Sequence, residues 1–115
     1  MQLDIKATNL ELTDAIRAYV QTKMDALDAE AARFGGAVRG EVEVGKASQH
    51  HKTGPVFRAE VHIRLPGKLV YASEAHEDLY TAIGNAVKDA EKQMLKYRGK
   101  MQDSRKRGRN KGEGV

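Results

Sequence analysis

Residues 56–73 read VFRAEVHIRLPGKLVYAS, and this stretch decides the fold class. Between Phe57 and Leu65 apolar side chains alternate with Arg, Glu and His, which is the period-two pattern of a strand with one buried face. Pro66 and Gly67 then give a tight turn, and KLVYAS follows as a shorter strand. The stretch therefore predicts a β-hairpin that buries one face and leaves the other polar.

Two further strands are predicted before this hairpin. Residues 2–7, QLDIKA, and residues 37–46, AVRGEVEVGK, alternate in the same way. Residues 47–55, ASQHHKTGP, break both the strand and the helix period, because Ser, Gly and Pro favour turns. We expect a flexible hairpin loop there.

A first helix is predicted between the two early strands. Thr13 and Asp14 supply N-cap chemistry, and apolar residues recur at helical spacing as far as Leu27. The helix is expected to fade near Arg33 and to stop at the glycine pair 35–36.

A second helix is predicted from about Asp78. One stripe of this helix is apolar and must pack on the sheet; it comprises Leu79, Ile83, Ala86, Val87, Ala90 and Met94. Gly99 weakens the helix by about 1 kcal/mol relative to Ala, so fraying is expected there. We therefore divide the chain into an α+β domain, residues 1–102, and a basic flexible tail, residues 103–115.

The order of elements, β-α-β-β-β-α, predicts the fold class. It indicates an α+β domain with a four-stranded mixed sheet and two helices packed on one face. The part after the first strand has the element order of double-stranded-RNA-binding domains. No Gly-x-x-Gly loop or aromatic-rich central strand is present, so shape and phosphate contacts suit this chain better than stacking of bases on a sheet.

The composition excludes several classes of protein. The 115 residues suit one small domain, and the absence of cysteine rules out disulfides and thiolate metal sites and favours a reducing cytoplasm. The first residues lack the pattern of a signal peptide, and no apolar run approaches the roughly 20 residues of a membrane span.

The basic charge lies almost entirely in the last quarter of the chain. Residues 1–87 hold 10 Lys and Arg against 12 Asp and Glu, a net −2, whereas residues 88–115 hold 10 against 4, a net +6. Lys88, Lys92 and Lys96 recur at intervals of four and point away from the apolar stripe, while Lys100 drifts towards its edge. A denser run follows, and it contains Arg105, Lys106, Arg107, Arg109 and Lys111.

The helix lysines alone fit an ordinary solvated face as well as a binding surface. The dense run favours a polyanion, because clustered cations repel one another without one. RNA is a better partner than a membrane surface, since neither the helix nor the tail offers Trp or Phe.

Catalytic and metal sites are not expected. His50 and His51 are adjacent and would point to opposite sides of an extended chain, which makes a poor chelate. The cluster 76–78, His-Glu-Asp, falls where a helix begins and fits that role better. No P-loop, dinucleotide fingerprint or nucleophile elbow is present, so we predict a protein that is not an enzyme and needs no cofactor.

Two stretches resemble a known family. They are MQLDIKATNLELTDAIRAYVQTKM, residues 1–24, and VYASEAHEDLYTAIGNAVKDAEKQMLKYRGK, residues 70–100. Both look like the ribosome hibernation-promoting factors, also called ribosome-associated inhibitor A or ribosomal subunit interface proteins, with the older label sigma-54 modulation protein. The element HEDLYTAI followed by spaced lysines is the more specific of the two, and the resemblance spans roughly residues 1–100.

The resemblance implies a partner and a mechanism. Members of the family bind the small ribosomal subunit and its rRNA between head and body, in the channel of messenger RNA and of A- and P-site transfer RNA. They thereby silence ribosomes in stationary phase or stress. We accordingly expect a cytoplasmic, ribosome-associated protein that is a monomer away from the ribosome and binds neither a membrane nor a small-molecule substrate.

The resemblance also implies the contact residues. The rRNA-binding positions that match the family are Arg17, Lys23, Lys88, Lys92, Lys96, Arg98 and Lys100. Asp78 and Tyr80 match an Asp-Leu/Met-Tyr element, in which Asp78 would cap the helix and Tyr80 would pack or lie at the RNA edge. Of the dense basic run, Arg105, Lys106, Arg107 and Arg109 depart from the family pattern and are expected only to reinforce binding electrostatically.

Other interpretations stay open at this stage. Long members carry a further C-terminal domain that dimerises ribosomes, so the chain either pairs ribosomes, silences single ones, or is the front of a longer protein. A general double-stranded-RNA-binding or RNA-chaperone module without a ribosomal address is the alternative. A transcription regulator acting through a sigma factor is supported only by the old label.

Overall fold

The computed structural model describes the backbone of residues 1–47 and 56–113, with side chains as far as residue 102. The elements are β1 Gln2–Thr8, α1 Asp14–Asp25, α2 Asp28–Ala32, β2 Arg39–Lys46, β3 Phe57–Leu65, β4 Lys68–His76 and α3 Leu79–Glu113. The histidine pair at 50–51, for which no role was predicted, lies outside the described residues.

The four strands form one mixed sheet in the order β1-β2-β3-β4. β1 runs parallel to β2, and the other two pairs are antiparallel. A parallel pair needs a crossover connection, which α1 and α2 supply, whereas β3 and β4 need only a turn. The predicted α+β class with a four-stranded mixed sheet is confirmed, and the order of elements differs from the prediction by the short additional helix α2.

The helices cover one face of the sheet and bury a single core against it. The inward residues of the three later strands, among them Val44, Val61 and Val70, are fully buried. Every residue of the stripe predicted for the last helix is buried as well. The alternation in residues 56–73 therefore sets the buried face as predicted.

The opposite face of the sheet is open and carries balanced charge. Its cations are Lys6, Arg39, Arg58 and Arg64, and its carboxylates are Asp4, Glu41, Glu43 and Glu60. Arg39 contacts Asp4 at 3.2 Å from the neighbouring strand. Cross-strand pairs of this kind neutralise the face locally.

The first helix is shorter than predicted, because the helix is interrupted after Asp25. Ala26 caps α1, and Leu27, with 1% of its surface exposed, turns into the core before the short α2 begins. The helical spacing of apolar residues continues across this break, so the sequence pattern alone hides it. The expected stop near the glycine pair is correct, since Gly35 adopts φ +71°.

β4 is longer than predicted. It runs to His76, which pairs with Phe57, so β4 has nine residues like β3. The residues after Ala72 are small or polar, and their strand character comes from pairing along β3.

The expected fraying of the last helix at Gly99 is wrong, because α3 continues through it to Glu113. A Cβ at Gly99 would meet no atom within 4 Å, so the glycine is not placed there by a close contact. The Lys, Gln, Met and Arg residues around it favour helix strongly enough to offset one glycine. The predicted boundary between domain and tail therefore falls inside one helix, and the flexibility predicted for the tail lies outside what the structure describes.

Two polar side chains of α3 fix its position on the sheet. Gln93 donates a hydrogen bond of 2.7 Å to the carbonyl of Tyr71 on the edge strand. The Tyr97 hydroxyl donates to the carbonyl of Pro66 in the β3–β4 turn at 3.3 Å, and its ring stacks on Phe34. The rotation of α3 about its axis is therefore fixed as far as the end of the sheet.

This rotation predicts opposite effects for two neighbouring residues. Met94 is fully buried, whereas 46% of Leu95 is exposed. Met94→Ala should lower the free energy of unfolding by about 2–5 kcal/mol because it leaves a cavity. Leu95→Ala, the matched control, should change it by no more than about 0.5 kcal/mol. Urea unfolding followed by circular dichroism measures both, and equal losses would contradict this orientation of α3.

Candidate nucleic-acid interface

α3 begins at a capping residue that the sequence predicted. The Asp78 carboxylate accepts hydrogen bonds from the Thr81 hydroxyl at 2.7 Å and from the Thr81 backbone N–H at 3.2 Å. His76 Nδ1 in turn accepts a bond of 2.9 Å from the backbone N–H of Asp78. The hydroxyl of Thr81 is the main cause that lowers the pKa of the Asp78 carboxyl, and the backbone N–H groups of Thr81 and Tyr80 lower it further.

Tyr80 packs between the two long helices. Its ring meets the ring of Tyr19 edge to face, with centroids 4.8 Å apart, while 38% of the residue remains exposed. The Nζ of Lys23 lies 5.4 Å from the centroid of the same Tyr19 ring. The tyrosine pair therefore joins the start of α3 to α1 and positions Lys23 beside α3.

The predicted row of cations lies on the solvent side of α3. Lys88, Lys92, Lys96 and Lys100 are all exposed. Successive members are about 6 Å apart along the axis, and the row is about 18 Å long at 1.5 Å per residue. Lys100 was expected to drift towards the core edge, but α3 has reached the β3–β4 turn by Tyr97, and Lys100 is exposed as the rest are.

Across the described side chains, none of these four lysines lies within 4.0 Å of a carboxylate. The nearby acids Asp89 and Glu91 therefore do not neutralise the row by direct ion pairs. Charges held in this way are available to a polyanion.

Two open grooves run along α3 and meet at Lys88. The first, about 370 Å³, lies between α1 and α3 and is flanked by Lys23 and Lys88. The second, about 240 Å³, lies between α3 and β4 and is flanked by Lys88 and Lys92. The tertiary structure thus brings a cation of α1 next to the row on α3, which sequence spacing alone does not show.

Arg98 differs from the other predicted contact residues. Its Nη1 donates to Glu30 Oε1 at 3.0 Å, and only 29% of its side chain is exposed. This ion pair ties α3 to α2, so the guanidinium serves the fold. Arg17 is exposed on α1. The side chains of Arg105, Lys106, Arg107 and Arg109 lie outside the described residues.

Gly84 and Asn85 are groove residues that the sequence reasoning missed. Both line the α1–α3 groove, and Asn85 also lines the groove beside β4. In the sequence, the only indication of this groove was a glycine followed by an asparagine inside a helical pattern. Neither residue carries charge, so a search for cations passes over them.

Within residues 1–47 and 56–102, no group of three His, Asp or Glu side chains is placed to hold a metal ion. None of the helices in the described part of the chain combines the length and apolar character that a membrane span needs.

The fold and the site define a class of small α+β proteins, in which one sheet face is open and balanced in charge and the helical face carries unpaired lysines. The family described as "Sigma 54 modulation protein / S30EA ribosomal protein" matches residues 3–102. The chain belongs to this family, and the resemblance noted in the sequence is confirmed.

Relatives and solved structures agree with this assignment. The chain is 30% identical over 105 residues to the ribosome hibernation promotion factor of Deinococcus radiodurans, covering 91% of this chain and 53% of the relative. It is 30% identical over 100 residues to the ribosome hibernation promoting factor of Azotobacter vinelandii, covering 87% and 85%. The chain spans about half the length of the Deinococcus and Lactococcus lactis relatives, at 53% and 51%.

The crystal structure of the N-terminal domain of Thermus thermophilus protein Y matches with a TM-score of 0.68 and 36% identity, covering 84% of this chain and 99% of that one. A ribosomal subunit interface protein from Coxiella burnetii matches with a TM-score of 0.65 at 14% identity, covering 86% and 99%, and it supports the fold alone.

The lowered pKa of Asp78 predicts a dependence of stability on pH. Because the folded pKa lies below the unfolded one, the carboxylate stabilises the domain above the unfolded pKa. This contribution is lost as the pH falls through the folded pKa. Asp78→Asn keeps an acceptor for the cap but removes the charge, so its melting temperature should lie below that of wild type at neutral pH.

The difference between Asp78→Asn and wild type should vanish in acid, when both side chains are neutral. Thermal melts over a pH series measure it, with Glu77→Gln, the loss of the neighbouring exposed carboxylate, as the matched control. A difference in melting temperature that stays constant with pH would show that the charge of Asp78 contributes nothing to stability.

Proposed function

We propose that this protein binds the small ribosomal subunit through the α1–α3 face and keeps ribosomes inactive in stationary phase or stress. The Deinococcus, Azotobacter and Lactococcus relatives are named for promoting ribosome hibernation. Its partner would be small-subunit rRNA, and its place the cytoplasm, on ribosomes.

The observation that carries this proposal is the unpaired lysine row on a helix that is fixed to the sheet. Each lysine that neutralises a phosphate releases condensed counterions, which makes binding favourable and dependent on salt. Lys23 extends the row across the groove onto α1. The open sheet face, with equal numbers of cations and carboxylates, offers RNA no comparable attraction.

The mechanism that fits this geometry is occlusion. A domain whose long helix is tied to the sheet by Gln93 and Tyr97 keeps its shape when bound. Seated in the channel of messenger RNA and of A- and P-site transfer RNA, such a body excludes both ligands by volume. No bond is made or broken, so the proposed function needs neither catalysis nor a cofactor. The cations Arg105, Lys106, Arg107 and Arg109 would add attraction beyond the end of the sheet.

Reversal of two charges in the row tests the interface. Lys88→Glu combined with Lys92→Glu should abolish co-sedimentation with small subunits, because two phosphate contacts become repulsions. Residual binding at low salt should show a salt slope smaller by about two units, since each phosphate contact contributes about one. Circular dichroism should be unchanged, because both side chains are exposed.

The matched control reverses two cations of the open sheet face. Arg58→Glu combined with Arg64→Glu changes the net charge by the same amount, and both residues are exposed on the side away from α3. This variant should pellet with subunits nearly as wild type does. An equal loss of binding in both variants would mean that net charge alone drives binding. If the Lys88 and Lys92 variant bound subunits with wild-type affinity, α3 would not be part of the interface.

A competition experiment distinguishes the proposed ribosome-binding function from that of a general double-stranded-RNA-binding module. If the protein occupies the messenger and transfer RNA channel, subunits loaded with messenger RNA and P-site transfer RNA should exclude it. A pelleting assay with increasing amounts of either loaded or empty subunits measures the exclusion. It gives the ratio of the two subunit concentrations that bind the same amount of protein. Equal binding to both, together with binding to arbitrary RNA duplexes, would support the general module.

A further inference from the structure

Gly84 is a residue that the fold does not explain. It lies in α3 between the buried residues Ile83 and Ala86, in an otherwise regular stretch of helix. A Cβ built there would meet only the Tyr19 hydroxyl, at 3.7 Å, which is ordinary contact. Alanine would fit and would favour the helix. A glycine that packing does not require leaves room for the close approach of something outside the chain.

The space beside Gly84 is the α1–α3 groove. Its apolar lining is the exposed Ala26, with Leu27 and Val87 buried beneath the surface at 1% and 6% exposure. Lys23 flanks it on α1 and Lys88 on α3, so an occupant with negative charge at both ends and an apolar middle is complementary to it.

The neighbouring groove between α3 and β4 lacks this complementarity. Lys88 and Lys92 line it, but Glu74 and Asp89 line it as well, so its charges balance. In the α1–α3 groove Glu91 is the one carboxylate against two lysines. An anionic chain is therefore drawn towards the α1–α3 side of Lys88.

A nucleotide that is not base-paired has this combination of groups. Its phosphates are charged, its base has an apolar face, and an unstacked base can be splayed out into a recess. A base-paired stem presents its backbone and the edges of paired bases, but its base faces stay stacked and cannot enter a recess. Asn85 at the rim supplies an amide with both a donor and an acceptor for the edge of a base.

We infer that the groove between α1 and α3 receives an unpaired nucleotide of the bound RNA. Lys23 and Lys88 hold the flanking phosphates, Ala26 contacts the base face, and Asn85 binds the base edge. Gly84 keeps the entrance open. This inference rests on the proposed function, and it adds a recess for one nucleotide to an interface otherwise made of phosphate contacts.

Substitution of Gly84 tests the inference, because stability and binding should change in opposite directions. Gly84→Ala should raise the melting temperature by about 4–8 °C, as expected for a helix glycine replaced by alanine. The same methyl group narrows the entrance and should weaken binding to small subunits. Gly84→Gln, which fills more of the groove, should weaken binding by about tenfold, as overpacking of a close contact does.

Gly99 provides the matched control on the same helix. A Cβ there also meets nothing, and the residue lies outside the groove. Gly99→Ala should raise the melting temperature similarly, and Gly99→Gln should bind subunits as wild type does. Equal binding by wild type and both Gly84 variants would overturn the inference while leaving the proposed function intact. Equal losses in Gly84→Gln and Gly99→Gln would also overturn it.

Chemical probing of small-subunit rRNA identifies the occupant. With reagents that modify unpaired bases, the wild-type protein should protect at least one base that Gly84→Gln leaves reactive and Gly99→Gln still protects. If Gly84→Gln loses no base protection and loses only protection of the backbone of paired stems from hydroxyl-radical cleavage, the groove binds a duplex and the inference is wrong. If wild-type protein binds no subunits at all, the proposed function fails first and the inference fails with it.

Discussion

The close packing of α3 on the sheet is the constraint on which the rest of the structure depends. Ala82, Ala86 and Ala90 are fully buried along one side of the helix, and their small side chains let it lie close to β3 and β4. Once this side faces inward, the rotation of the helix is fixed. Lys88 and Lys92 lie on the side away from the alanines and must then point to solvent, because the helical period leaves them no other direction.

The fixed helix divides the molecule into two electrostatically different surfaces. On the sheet side, cations and carboxylates are equal in number, and Arg39 and Asp4 form an ion pair between neighbouring strands. On the helix side, the ion pairs among the described side chains join different elements: Arg98 binds Glu30, and the N-terminal amine of Met1 binds Asp28. Arg98 and the unpaired lysines are all cations, and their surroundings distinguish the cation that joins two helices from those available to a polyanion.

Two features of α3 run against what stability alone would select. Like charges recur at four-residue spacing, which destabilises an isolated helix, and Gly84 interrupts a stretch where alanine would fit. Local choices that disagree with the fold are expected at functional sites, where binding outweighs their small cost. Both features lie on the side of α3 that faces α1 or solvent, and together they define one continuous surface.

The sequence by itself determined the strands, the buried stripe of the last helix, its cap at Asp78 and the outward direction of Lys88. These follow from periods of two and 3.6 and from a capping residue, which are local properties of the chain. The same reasoning missed the break after Asp25, the length of β4 and the course of α3 past Gly99. It also could not show that Arg98 is paired, since Glu30 lies 68 residues away in the chain. The groove beside Gly84 belongs to this second group, because its walls come from two helices that meet only when both pack on the sheet.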